Sequence, residues 1–167
     1  NWYLDVSQIR KYLGSERVYH HTAPITMNFA LHEGLRLVLE EGLEARWRRH
    51  LANHRALKAG LTAMGLQYTA QEGHQLPQLN AIRLPDGVDD VAGRKMLLDE
   101  FNIEVGGGLG DLKGKAWRIG LMGVNCNPAV VLQALAALEL VLRRLGVKIQ
   151  PGAGVAAANG QYLSPST

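Results

Sequence analysis

Residues 117 to 146 read Trp-Arg-Ile-Gly-Leu-Met-Gly-Val-Asn-Cys-Asn-Pro-Ala-Val-Val-Leu-Gln-Ala-Leu-Ala-Ala-Leu-Glu-Leu-Val-Leu-Arg-Arg-Leu-Gly, and two periods meet inside them. Up to Met122 the large apolar side chains alternate with Arg118 and Gly120, the two-residue repeat of a half-buried strand. From Val131 the spacing changes. Val131, Leu135, Leu138, Leu142 and Leu145 fall three or four residues apart, the stripe of a helix facing a core. Asn127 is its predicted N-cap, Pro128 suits its first turn, Gly146 ends it, and Arg143 and Arg144 sit where the helix dipole favours cations. A strand and a helix laid side by side in this way indicate a layer of sheet covered by helices.

Working outward from this unit, the same rules predict helices over 5–13, 24–41, 43–64 and 90–101. In the third, Leu43, Trp47, Leu51, His54, Leu57, Leu61 and Met64 form one stripe; in the fourth, Val91, Leu97, Leu98 and Phe101 face inward behind an N-cap at Asp89 or Asp90. Short strands are expected at 66–69, 79–84 and 103–105, with Gly106 to Gly110 as a loop. From Pro151 onward small and polar residues dominate, too little to offset the entropy of ordering, so 151–167 is read as a flexible tail. The fold class is α+β, a small and mostly antiparallel sheet covered by helices. The chain is assigned as 1–42, 43–150 and 151–167.

The bulk properties exclude little but set defaults. The chain has 167 residues, 47% of them hydrophobic, which is enough for a compact core. No run reaches the roughly 18 apolar residues of a membrane helix, and the single Cys126 suits a reducing compartment, so a cytoplasmic location and no membrane partner are expected. The net charge of +3 and the run Arg46, Trp47, Arg48, Arg49, His50 raise nucleic acid, but Glu40, Glu41 and Glu44 beside it make a mixed-sign solvated helix face the expected meaning.

Four features could carry chemistry. Arg118 lies inside an apolar strand run, where an unpaired guanidinium is costly and an anionic partner is needed. Its open neighbour Gly120 leaves room for a carboxylate in a bidentate fork; the alternative is a salt bridge to Asp99, Glu100 or Glu104. The glycines 106 to 108 and 110 lack the residues of a phosphate loop and are read as a turn beside a cleft. Tyr19, His20, His21 and Thr22 are spaced wrongly for a metal, and form either an anion site ahead of a helix or a capping and packing cluster. Cys126 has no histidine nearby to act as its base and is read as structural. None of the lysines at 11, 58, 95, 113, 115 and 148 falls in a buried pattern, as an amine reactive at neutral pH would require.

Taken in order, Trp-Tyr-Leu-Asp at 2–5, Tyr-His-His-Thr with Pro at 19–24, Gly-Gly-Leu-Gly at 107–110 and Arg-Ile-Gly-Leu-Met-Gly at 118–123 resemble the class V aminotransferases, most closely the alanine:glyoxylate (serine:pyruvate) branch. The resemblance implies fold type I of the pyridoxal-phosphate enzymes, with this chain supplying the end of the large domain, the inter-domain helix and the small C-terminal domain. It implies pyridoxal 5'-phosphate as cofactor, a homodimer, and transfer of an amino group from alanine or serine to glyoxylate or pyruvate. Arg118 would then bind the substrate carboxylate, Tyr19 and Thr22 the cofactor phosphate of the neighbouring subunit, and Gly107 and Gly108 would shape the active-site loop. No catalytic residue is expected within the segment: the lysine that holds the cofactor is expected N-terminal to Asn1. Donors from purine breakdown, a non-catalytic dimerisation domain and a basic interaction module remain as alternatives.

Overall fold

The computed structural model describes residues 1–164. Two compact units divide the chain after Leu43.

In the first unit a single turn at Trp2–Leu4 leads to helix α1 (Val6–Leu13), capped by the Asp5 carboxylate, which accepts from the Ser7 amide at 3.0 Å. Helix α2 (Ile25–Glu41) follows, starting one residue later than the expected 24–41, with Pro24 as its N-cap. Among its apolar positions Met27, Phe29, Leu31, Leu35 and Leu39 are all more than half exposed. No helix among the described residues is long and apolar enough to cross a membrane.

The second unit holds the core. Helix α3 (Leu43–Ala63) ends in Gly65, whose φ of +80° lets the chain reverse. Strand β1 (Leu79–Arg83) is followed by α4 (Asp90–Phe101), β2 (Gly106–Gly107), β3 (Ala116–Gly120) and α5 (Pro128–Arg144). The sheet is antiparallel in the order β1-β3-β2, with Ala81 opposite Arg118 and Gly106 opposite the same residue on the other side. Trp117 and Ile119 of β3 and Ile82 of β1 are buried in the core with Leu57 and Leu61 of α3, Leu97 of α4 and Val131, Leu135, Leu138 and Leu142 of α5. Arg118 alternates to the other face, half-buried. The α+β class and the α5 stripe are thus as the sequence indicates.

Several expectations are corrected. A helix α6 (Ala153–Leu163) stands where a flexible tail was expected; the last three residues of the chain lie outside the described part. Composition misleads here because backbone approach replaces large side chains. A Cβ on Gly60 would lie 2.8 Å from the Gly154 carbonyl oxygen, and Ala158 is fully buried. The Glu139 carboxylate accepts from the Gly152 amide at the start of α6, where the helix dipole favours an anion. The Tyr162 hydroxyl donates to Asn53 Oδ1 at 2.7 Å, and its burial pushes the phenol pKa up to about 12.

The buried face of α3 is also rotated from the expected stripe. Leu43, Trp47 and Leu51 are exposed while His50, Asn53, Ala56 and Gly60 are buried, because the polar members find partners: His50 Nδ1 donates to the Arg46 carbonyl and Asn53 Nδ2 to that of Arg49. In α4, Val91 and Leu98 face solvent and Gly93 is buried in their place, since a Cβ there would lie 2.5 Å from the Trp117 ring. The segment 66–69 contributes only a bridge between Tyr68 and Ile82, and the strand expected at 103–105 forms instead at Gly106–Gly107, after Asn102 has closed α4 in the left-handed region.

A buried polar network crosses the core edge. Asn80, fully buried, accepts on Oδ1 from the Tyr68 hydroxyl at 2.8 Å, so the partner His54 Nδ1 at 2.7 Å is the protonated nitrogen. Burial lowers the His54 pKa from its ordinary 6.5. A histidine held neutral in this way contributes stability that is complete above pH 6.5 and is lost as the pH falls through the lowered value. The melting temperature is therefore expected to drop as the pH falls below about 6.5, and His54→Asn, which keeps a donor to Asn80 without a titrating ring, should flatten that dependence. An equal slope in the two proteins, followed by circular dichroism, would contradict this assignment.

Candidate functional site

The β3 register sets Arg118 between two rows of backbone with little side chain beside it. Its Nε donates to the Gly107 carbonyl at 2.8 Å. The guanidinium then lies flat along Gly106, where a Cβ would be 3.1 Å from Nη2. The salt bridge considered from the sequence is not formed. Asp99 pairs with Lys95 and Glu100 with Arg144, and among the described residues no carboxylate reaches Arg118. One guanidinium nitrogen is thus anchored by backbone, and the two terminal nitrogens have no hydrogen-bond partner there. That arrangement presents a planar pair of donors to an incoming carboxylate.

The loop that supplies the anchor is itself held from both ends. Gly108 donates to the Ala116 carbonyl at 2.8 Å, and a Cβ on Gly108 would lie 1.9 Å from the Leu112 carbonyl oxygen, so only glycine fits. Gly107 lies against the Arg94 guanidinium. Arg94 grips Asp90 through two nitrogens, at 2.8 and 3.2 Å, and the Trp117 indole donates to the same carboxylate at 2.8 Å. The Arg94 hydrogen bonds, with a smaller contribution from Trp117, hold the Asp90 carboxyl below the usual carboxylate range. Sequence reasoning passed over this support; the four-residue spacing of Asp90 and Arg94 on one helix was its available signal.

Tyr19 and Thr22 come together in the first unit. Their hydroxyls are 2.8 Å apart and exposed. His20 between them is buried, stacked on the Trp2 ring at 4.1 Å, while Tyr3 and Tyr12 lie beside His21. The donor set suits a phosphate ester: two adjacent hydroxyls, neither bonded to a carboxylate, on a segment anchored by stacked rings. Of the basic run, Arg49 turns inward and donates to the carbonyls of Gly123 and Cys126, which leaves a narrower cationic surface than its sequence suggests. Cys126 is fully buried.

No family model matches the chain. Individual relatives do. The chain is 44% identical over 160 residues to the (S)-ureidoglycine--glyoxylate transaminase of Bacillus subtilis, covering 96% of this chain and 38% of that protein. A crystal structure of the Bacillus subtilis ureidoglycine-glyoxylate aminotransferase superposes with a TM-score of 0.93 over 98% of this chain and 42% of its own length. That of alanine--glyoxylate aminotransferase from Nostoc is 52% identical, with a TM-score of 0.81 over 86% of this chain and 38% of its own. The pyridoxamine--pyruvate transaminase of Mesorhizobium japonicum is 35% identical over 144 residues, covering 86% of this chain and 37% of that protein. The chain therefore spans under half the length of the relatives it matches, as a C-terminal domain would. The ordered motifs, the small antiparallel sheet and these likenesses agree: over the length it spans, this chain belongs to the class V aminotransferases.

Proposed function

We propose that this chain is the C-terminal part of a pyridoxal-phosphate-dependent aminotransferase that passes an amino group from alanine or serine to glyoxylate, or pyruvate, in two half-reactions. The observation that carries the reading is the Arg118 fork: anchored through Nε, backed by glycine, with both terminal nitrogens available. Amino donor and oxo-acid acceptor share one group, the carboxylate next to the reacting carbon. A single arginine can hold that group in both half-reactions, which turns the reacting carbon of each substrate toward the same point. When bound, pyridoxal phosphate supplies the carbonyl that receives the amino group and the ring that draws off electrons from the reacting carbon. Tyr19 and Thr22 would donate to its phosphate, in the neighbouring subunit of a homodimer, and Gly107 and Gly108 would keep the Arg118 side of the cleft free of side chains. Residues 1–42 would then close the large domain and 43–150 form the inter-domain helix and small domain, with the lysine upstream of Asn1.

The 44% identity and 96% coverage of the ureidoglycine--glyoxylate relative favour a second donor, a purine-breakdown intermediate of that kind. The visible spectrum of the complete polypeptide with pyridoxal phosphate separates the readings. Conversion of the bound cofactor to its amine form by alanine or serine supports the first; conversion by ureidoglycine alone supports the second. Absence of a bound-cofactor band would leave a non-catalytic domain. A further expectation concerns the phosphate contact. Tyr19→Phe, which removes one donor, should release cofactor about fivefold faster than the unaltered protein, the worth of one hydrogen bond; equal release rates in gel filtration would count against it.

A further inference from the structure

His20 is the one buried side chain in the first forty residues, and both of its nitrogens are engaged. Nε2 lies 3.1 Å from the Trp2 carbonyl oxygen, and Nδ1 lies 2.6 Å from Nδ1 of His21. A carbonyl only accepts, so His20 carries its proton on Nε2. With both rings neutral, His20 Nδ1 is then a lone-pair acceptor, and the proton between the rings belongs to His21 Nδ1. One tautomer set satisfies the network: His21 Nδ1–H to His20 Nδ1, and His20 Nε2–H to Trp2. His21 Nε2 is left as an acceptor. The rings that fix this chain are apolar or uncharged: Trp2 stacks on His20 at 4.1 Å, Tyr3 packs on His21 at 4.7 Å, and Tyr12 faces both His21 and Tyr19.

Tyr19 and Thr22 stand immediately before and after the two histidines in sequence, and their hydroxyls converge to 2.8 Å although both residues are exposed. Beyond the edge-on contact of Tyr12 with the Tyr19 ring, little else restrains them, since Tyr19 is 68% exposed. We infer that His20 and His21 are positioning residues: a directional imidazole pair, pinned to the Trp2 carbonyl, that holds the Tyr19 and Thr22 hydroxyls together as a phosphate-binding pair. The inference rests on the reading of Tyr19 and Thr22 given above. Position 21 must supply a donor at the place of Nδ1, and a side chain that only fills space does not suffice.

That requirement is testable, because the asparagine amide places an N–H where histidine has Nδ1, whereas leucine fills similar space without a donor. The complete polypeptide is loaded with pyridoxal phosphate, and cofactor release after dilution is followed by absorbance for the unaltered protein, Tyr19→Phe, His21→Asn and His21→Leu, with melting curves of the four apo forms. Expected are faster release for Y19F, release about tenfold faster for H21L, and release within about twofold of the unaltered protein for H21N, as loss and retention of a hydrogen bond that orders a loop would produce. If Y19F accelerates release while H21L does not, or H21N and H21L are equally fast, the positioning role is overturned and the phosphate contact stands. If Y19F has no effect, the phosphate contact fails and this inference fails with it. Should H21L melt below the assay temperature, nitrogen-detected spectra of the unaltered protein decide: His20 protonated on Nε2 and His21 on Nδ1 is required, and any other pair of tautomers overturns the proposal.

Discussion

Replacing Arg118 by lysine in the complete polypeptide is expected to lower kcat/KM for the amino donor about a hundredfold, or ~2.7 kcal/mol, with cofactor binding unchanged. Lysine preserves the charge but not the geometry. Its ammonium cannot donate to the Gly107 carbonyl and present two parallel donors to a carboxylate at once. The loss should appear for donor and acceptor alike, since both carry the carboxylate that Arg118 is assigned. A loss confined to one of them, in steady-state kinetics with each varied in turn, would mean that Arg118 serves only one half-reaction.

Gly108→Ala is expected to be the more destructive change to the fold. The added methyl would meet the Leu112 carbonyl oxygen at 1.9 Å, a backbone atom that no rotamer can move aside. Relief requires the loop to shift, which breaks the Gly108 to Ala116 hydrogen bond and displaces the carbonyl of Gly107 on which Arg118 rests. A destabilisation of about 3 kcal/mol is expected, at the upper end for overpacking, together with a raised KM. Gly110→Ala is the control: nothing lies near its Cβ, and only its φ of +54° resists, so about 1 kcal/mol is expected. Urea unfolding of the two variants side by side would show the difference, and equal midpoints would remove Gly108 from the role given it.

The elements most legible in the sequence were those where local and tertiary preferences coincide. Asn127 and Pro128 start α5, a clean stripe runs through it, and its Val131, Leu135, Leu138 and Leu142 are buried, with Leu145 at the C-cap partly so. In α3 the two preferences part, because His50, Asn53 and Gly60 are buried through hydrogen bonds and close backbone approach, neither of which leaves a hydrophobic period. The same cause hid α6: Gly154 and Ala158 reach the core by being small, and a rule based on buried side-chain area passes over them. At the site, Arg118 was recognisable as a charge in an apolar run, yet two of its three competing carboxylates, Asp99 and Glu100, could be dismissed only once they had partners of their own. The Asp90, Arg94 and Trp117 support joins α4 to β3 across 27 residues, a separation over which periodicity carries no information. The coupling of His20 to His21 was likewise out of reach, since it depends on ring orientation, while their adjacency alone argued only against a metal.

The most direct measurement is the affinity of the cofactor-loaded complete polypeptide for L-alanine and for L-alaninamide, whose carboxylate is replaced by an uncharged amide, in the unaltered protein and in R118K. The unaltered protein should prefer alanine by about a hundredfold, and R118K should lose most of that preference, because the fork that reads the carboxylate is gone. A preference of the same size in both proteins would contradict the assignment of Arg118 and place recognition of the carboxylate elsewhere.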